Sequence, residues 1–442
     1  MSARGQPDIF AVAGRPVLHS LSPQMHNAAF DRLGIRAAYI RLASEISKAA
    51  VRTLKRMDAR GFNVTSPYKV EMLRLVDKVD SEAGKIGAVN TVCVKNGTLT
   101  GHNTDAHGAV EALRANSVCV GGANILVMGA GGAARAAVFG LMGAGAKVTV
   151  ANRTAAKAAA IAREFGCSVS PAKSAIEKTV PSCSAIVSCS GGADVRVPIG
   201  ALSKGMTVMD ADYRRESALV RDARKAGCNV VDGREWLLHQ GAKAFELFTG
   251  RDAPLDTMRD AIYSRETGNR GNGISLIGFM GAGKSAVGKE LAKRLRLPSI
   301  DTDADIAREA GMTINEIFRK RGEAGFRKLE RKRISILAGS KPSVVATGGG
   351  SILDAENVRA LKDHGTVVFL WADGETLGKR LTGKDDRPLL SGRRKQDGPA
   401  GFLGLLPGRT PIYLESADIV VDSNGSTSKI AEVIAFETRE AM

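Results

Sequence analysis

The 442 residues predict an α/β protein assembled from consecutive nucleotide-binding modules, and three observations carry that prediction. Short β-branched runs alternate with alanine-rich helical stretches through "NILVMGAG", "AKVTVAN", "SAIVSCS", "MTVMDA" and "CNVVDG", between residues 124 and 233. The alternation restarts in "GISLIGFMG", "PSVVATGGG", "TVVFLWA" and "ADIVVD". Each series opens on an apolar run that ends in a glycine-rich turn, and the two turns differ in spacing. Such alternation marks a parallel sheet covered by helices, and the chain is too long for one ordinary core.

Composition narrows the function classes. The chain is 44% hydrophobic and 25% charged, as in globular proteins, and its net charge is +17. The basic excess is shared, with 36 basic against 24 acidic residues in 1–272 and 27 against 22 in 273–442. It therefore singles out no nucleic-acid-binding module. With aromatics at 5% there is little to stack bases on. A basic enzyme gathering anionic small molecules is the reading favoured, with no nucleic acid and no membrane as partner. Six cysteines, all within the first 228 residues and without a CxxC pair, suit a reducing compartment. The opening "MSARGQPDIFAVAG" has no apolar core of a secretory signal, so a cytoplasmic location is expected.

The first turn, "MGAGGAARA", sets Gly129, Gly131 and Ala134 in the pattern G-x-G-x-x-[GA], with Ala130, Gly132 and Ala133 between them. The first glycine makes the turn, the second admits a pyrophosphate, and the following helix N-terminus faces its charge. About twenty residues on, where an acidic residue would bind a ribose hydroxyl, stand Asn152, Arg153 and Thr154. A cation there suits a 2′-phosphate, so NADP(H) is expected. Upstream lie "HSLSP", with Ser20 and Ser22 able to address one carboxylate, "NVTSPYK" with Lys69, and "GAVNTV" and "GHNTDAHG" with Asn90 and Asp105. Singly these are common turns and caps. Their combination and order are not.

Together the stretches "GRPVLHSLSPQMHNAAF", "GFNVTSPYK", "GAVNT", "GHNTDAHG", "MGAGGAARA", "ANRT" and "WLLHQGAKAFELFTG" make residues 7 to about 263 resemble shikimate dehydrogenase. The resemblance implies a substrate domain over 1–107, completed by a helix at 237–262, and a Rossmann NADP domain over 108–236. It implies Lys69 as the general acid with Asp105 as its partner. Ser20, Ser22, Thr65, Asn90, Tyr213 and Gln240 would hold the cyclohexene acid, and Gly233 would contact the cofactor. The sequence departs from the family in "VSCSGGAD" (187–194) near the nicotinamide, in "DADYRRE", and in His102 and Ala106.

A polar stretch at 263–273, "YSRETGNRGNG", reads as a linker. Beyond it Gly278, Gly283, Lys284 and Ser285 satisfy G-x-x-x-x-G-K-[ST]. Amides of Gly281, Ala282, Gly283 and Ala286 would cradle phosphates, Lys284 would reach them, and Ser285 would ligate Mg²⁺. Asp301 and Asp303 follow at the end of a strand-like run, as metal and acceptor carboxylates or as helix caps. "GFRKLE", "VVATGGG", "DDRPLL" and "GRTPIYLESAD" complete a likeness to P-loop shikimate kinase over 273 to about 436. It implies that Asp303 meets the acceptor hydroxyl, Arg327 and Arg409 grip the shikimate carboxylate, and Gly349 touches the ring. Arg387 would sit on a lid over ATP, within a nucleotide-kinase-like parallel α/β domain at 274–442.

Two resemblances in series imply two successive steps on one ring: NADPH-dependent reduction of 3-dehydroshikimate, then phosphorylation of shikimate by MgATP. The alternatives are a quinate- or NAD-preferring dehydrogenase, a kinase for another small alcohol, and a basic nucleic-acid-binding regulator with vestigial sites.

Overall fold

A computed structural model describes residues 6–170, 173–190, 197–264, 270–381 and 404–441. The chain divides into two compact units. The first comprises Met1–Ser20, Arg36–Ala59 and Arg265–Met442, the second Leu21–Ile35 and Arg60–Ser264.

In the first unit seven strands lie parallel. Their order is Ser299–Asp301, Val344–Ala346, Gly273–Ile277, Gly365–Trp371, Ile419–Asp422, Ala37–Ala43 and Asp8–Gly14. Strands covered by helices on both faces read as near-continuous apolar runs. That is the character of Val367–Leu370 and Ile419–Val421, all buried. The chain leaves the strand Gly273–Ile277 with neighbours reached in opposite directions on either side, a switch point of the kind where α/β sheets bind ligands. The residues just before it are tied down: Gly271 N donates to Asp363 O at 2.8 Å, and Arg270 pairs with Asp418 at 2.8 Å. Residues 265–269 of the expected linker lie outside the described residues.

The second unit holds a six-stranded parallel sheet ordered Asn229–Val231, Thr207–Asp210, Ala185–Ser188, Asn124–Met128, Lys147–Ala151 and Ser168–Val169. This doubly wound order, starting from the central strand Asn124–Met128, is that of a dinucleotide-binding sheet. Small side chains let helices approach it closely: Ala109, Ala112, Ala134 and Ala137 pack with Ile125, Val127, Val148 and Trp236. A second group pairs Thr91–Lys95 antiparallel with Gly61–Asn63 and with Thr98–His102. Asn96 and Gly97, at φ 51° and 77°, form the tight hairpin between Thr91–Lys95 and Thr98–His102.

Each apolar run quoted above falls on a strand, so the α/β class and the two parallel sheets stand. The single helix expected at 237–262 is instead two, Gly233–Thr249 and Leu255–Tyr263. Gly250 closes the first in the left-handed region, at φ 67°, and Pro254 precedes the second. No helix among the described residues is long and apolar enough to cross a membrane.

Candidate active sites

The second unit gathers its polar residues around Asp105, the first residue of the helix Asp105–Ala115. Lys69 Nζ donates to Asp105 Oδ2 at 2.5 Å, with both side chains largely buried. Asn90 Nδ2 donates to the other carboxylate oxygen at 2.9 Å, to Thr104 Oγ1 at 3.0 Å and to Gln240 Oε1 at 3.3 Å. The Asn90 amide cannot reverse, because its oxygen accepts from Thr104 N at 2.8 Å and Thr91 Oγ1 at 2.9 Å. Asn63 Nδ2 donates in turn to Thr91 Oγ1 at 2.9 Å. Trp236 Nε1 holds the Asp105 carbonyl at 3.0 Å. The outcome is a carboxylate with both oxygens engaged and an ammonium fixed against it, an arrangement able to hand over a proton.

The glycine turn lies beside this cluster. A Cβ on Gly132 would stand 3.0 Å from Lys69 Cβ, so the dinucleotide turn and the lysine are in contact. Gly129 has φ 128° and a Cβ there would meet the Cys189 backbone at 3.0 Å, which only glycine tolerates. Among the described residues nothing lies within 4 Å of a Cβ position on Gly131, which suits the close approach of a pyrophosphate to the helix Gly132–Gly143. Arg153 and Thr154 are exposed at the end of Lys147–Ala151, where a 2′-phosphate could meet them. These residues fit NADP(H). Tyr213 Oη accepts from Leu21 N at 3.4 Å, at the start of the helix that carries Ser22. Thr65 O accepts from Tyr68 N at 3.0 Å in the turn leading to Lys69. Gly233 sits where a Cβ would come 2.2 Å from Asp210 O, so packing alone demands glycine there. Ser20 belongs to the first unit.

In the first unit Gly278, Gly281 and Gly283 adopt φ of 150°, 84° and 92°, a left-handed succession that builds the tight loop ahead of the helix Lys284–Leu295. Lys284 is buried and donates to the carbonyls of Gly278 at 2.7 Å and Phe279 at 3.0 Å. Ser285 Oγ donates to Asp301 Oδ2 at 2.6 Å, while Asp301 Oδ1 caps Ala304 N at 3.1 Å. Asp301 thus both caps a helix and meets the loop hydroxyl. A hydroxyl and a carboxylate side by side are the hard oxygen donors that suit Mg²⁺, and the loop suits ATP.

Behind the loop, Gly348 is hemmed by Asp303 Oδ1 and Glu330 Oε1, each 2.8 Å from where its Cβ would be. Glu330 is fully buried. It accepts from Arg327 at 2.7 Å and from Ser351 Oγ at 2.6 Å. Burial opposes the Arg327 charge, yet Glu330 and Glu323 hold its pKa above the usual guanidinium value. Tyr413 Oη donates to Gly349 O, and its ring stacks on Phe369 at 4.8 Å. The Arg409 guanidinium lies 5.8 Å from the Phe279 ring centroid. Asp303, Arg327, Gly349 and Arg409 are therefore tied to elements that border the phosphate loop. Arg387 and the segment 391–401 lie outside the described residues.

Comparison with known proteins orders the chain by family, and the match to the substrate domain has residues in both units. A family model for the shikimate dehydrogenase substrate binding domain matches residues 12–92. Models for shikimate / quinate 5-dehydrogenase and for the shikimate 5′-dehydrogenase C-terminal domain match 112–217 and 233–263. The shikimate kinase model matches 280–438. A shikimate dehydrogenase (NADP(+)) of Haloarcula marismortui is 41% identical over 258 residues, 57% of this chain and 97% of that one. The chain belongs to the shikimate dehydrogenase family. A shikimate kinase domain follows in the same polypeptide.

Among solved structures, the Aquifex aeolicus shikimate dehydrogenase is 33% identical with a TM-score of 0.55, over 60% of this chain and 100% of that one. The Thermus thermophilus enzyme, crystallised with NADP(H) and shikimate, is 38% identical with a TM-score of 0.53, over 57% and 98%. The chain is thus an oxidoreductase and a kinase in one polypeptide.

Within the dehydrogenase cluster, Asn63, Thr91, Thr104 and Trp236 escaped the sequence reading, as did Glu330 and Ser351 in the kinase. Asn63, Thr91 and Thr104 lie inside quoted motifs, but their role depends on partners brought by the fold. Cys189 also escaped. Burial, with Asp210 and Asp105 near, pushes its thiol pKa far up despite Lys69, so it stands neutral beside the dyad.

Proposed function

We propose that the chain reduces 3-dehydroshikimate to shikimate with NADPH and then converts shikimate to shikimate 3-phosphate with MgATP. The observation that carries the first step is the Lys69–Asp105 pair at 2.5 Å with the dinucleotide turn against the lysine side chain. NADPH supplies the hydride when bound. Lys69 gives the proton that the nascent alkoxide needs, Asp105 holds the ammonium in place, and Asn90 and Gln240 orient the ring beside it. Ser20, Ser22, Thr65 and Tyr213 complete the grip on the acid.

In the second step ATP with Mg²⁺ supplies the phosphoryl group. Asp303 accepts the 3-hydroxyl proton, Lys284 and the loop amides offset charge on the phosphates, and Arg327 and Arg409 take the carboxylate. Arg387 would complete the nucleotide site.

A second reading of the dehydrogenase rests on its likeness to the quinate dehydrogenase of Corynebacterium glutamicum solved with NAD, 28% identical with a TM-score of 0.54. Arg153, where an NAD enzyme would place an acid, favours NADP. The test is one reaction holding 3-dehydroshikimate, NADPH and MgATP. Loss of NADPH together with formation of ADP supports the proposal. Turnover only with quinate and NAD would replace its first half, and absence of ADP its second.

A further inference from the structure

The turn that leads into Ser20 is held by residues some 400 positions away. Val17 N and Leu18 N both donate to Glu437 Oε2, at 2.8 and 3.0 Å, and Val17 and Glu437 are buried. Ser20 N closes the turn on Val17 O at 3.0 Å. The Ser20 carbonyl accepts from Arg41 Nε at 2.8 Å, while Arg41 Nη1 donates to Asp418 O at 3.1 Å. The surrounding seam is continuous. The strand Ile419–Asp422 pairs with Ala37–Ala43, Thr53 Oγ1 donates to Asp422 Oδ2 at 2.6 Å, and the Arg15 guanidinium lies 4.5 Å from the Phe436 ring centroid. All of these residues belong to the first unit. Glu437 and Asp418 lie within the stretch that matches shikimate kinase.

Two adjacent amides on one carboxylate oxygen make a pair of charge-assisted bonds, stronger than neutral ones and geometrically strict. They fix the backbone three residues before Ser20. We propose that Glu437 and Arg41 are positioning residues of the dehydrogenase. Through the turn 17–20 the kinase segment sets how Ser20 presents its hydroxyl to the substrate carboxylate. This rests on the reading of that serine given above.

The test uses the full chain and 3-dehydroshikimate with saturating NADPH. Glu437→Ala raises KM roughly tenfold with kcat within about twofold, the pattern of lost uniform binding. Glu437→Gln, which keeps an oxygen acceptor, recovers most of the loss. Arg41→Met gives the same split by an independent route if Glu437→Ala folds poorly, and kinase turnover on the same preparations shows that the protein is intact. In a chain already carrying Ser20→Ala, Glu437→Ala adds less than about twofold, because residues acting through one contact are not additive. Additive losses overturn the inference. So does an unchanged KM in both Glu437→Ala and Arg41→Met when Ser20→Ala itself raises KM. An unchanged KM in Ser20→Ala overturns the carboxylate reading and the inference with it.

Discussion

Lys69 Nζ stands 2.5 Å from Asp105 Oδ2, and the remaining carboxylate oxygen is taken by the Asn90 amide at 2.9 Å. An ammonium so placed has its charge balanced and its protons aimed. General acid catalysis is worth roughly 10²–10⁴-fold, so Lys69→Ala is expected to lower dehydrogenase kcat by about 10³-fold. Lys69→Arg keeps the charge, but a guanidinium does not give up its proton near neutral pH, so it restores little. Kinase turnover on the same preparations should stay at the wild-type level. A parallel loss of both activities in folded protein would show that the two sites are not separable.

Thr91 is fully buried and bears on the Lys69–Asp105 pair through Asn90. Its hydroxyl donates to Asn90 Oδ1 and accepts from Asn63 Nδ2, both at 2.9 Å. Thr91→Val removes both bonds from a buried network, a loss on the order of 1–3 kcal/mol. Because the Asn90 amide then has less to stop it reversing, kcat should fall about 10- to 100-fold. Thr91→Ser, which restores the hydroxyl, should recover most of that. Equal activity in the valine and serine variants would remove Thr91 from the account.

Lys284 is satisfied within its own loop by the Gly278 and Phe279 carbonyls. A nucleotide must therefore draw it away from two hydrogen bonds, and it exchanges them only for a stronger charged partner. Lys284→Met is expected to cost the kinase about 10²-fold or more, by loss of the positive charge that offsets the phosphates. NADPH oxidation should be unaffected. Steady-state ADP formation at saturating shikimate is the check.

How far the sequence led follows from where each signal resides. The two glycine turns and Lys284 with Ser285 carry their chemistry in a few adjacent residues, so spacing alone exposes them, whereas spacing left Asp301 and Asp303 open between site carboxylates and helix caps. Lys69, Asn90 and Asp105 are far apart in sequence and came through a resemblance. The structure brings Lys69 and Asn90 each within hydrogen-bond distance of Asp105. Thr91, Asn63 and Glu330 carry no local mark of function, because a buried hydroxyl or carboxylate becomes informative only once its partners are known. The break at Gly250 has a local signal, a glycine followed closely by a proline, which the expectation of one continuous helix overrode. The hold of Glu437 on Val17 and Leu18 spans nearly the whole chain, and no window of sequence contains it.

His26 yields a prediction about acid stability. It is fully buried among Phe30, Phe245 and Phe248, with ring centroids 6.3, 6.1 and 6.1 Å away. Burial lowers its pKa from 6.5 to about 3. Between those values the unfolded chain binds a proton that the folded chain refuses. Stability is therefore intact above about pH 6.5 and falls as pH drops toward 3, by up to about 1.4 kcal/mol per pH unit from this group. His26→Leu removes the proton-binding group from both states and should flatten that limb, whatever it does to stability at neutral pH. The chain's two tryptophans report separately, since Trp236 lies in the second unit and Trp371 in the first. In a Trp371→Phe background, urea unfolding followed by Trp236 fluorescence at pH 4, 5, 6 and 7 isolates the unit that holds His26. A slope against pH that is the same in His26→Leu as in its parent would mean that other groups govern the acid limb. A slope reduced by about one proton's worth assigns it to His26.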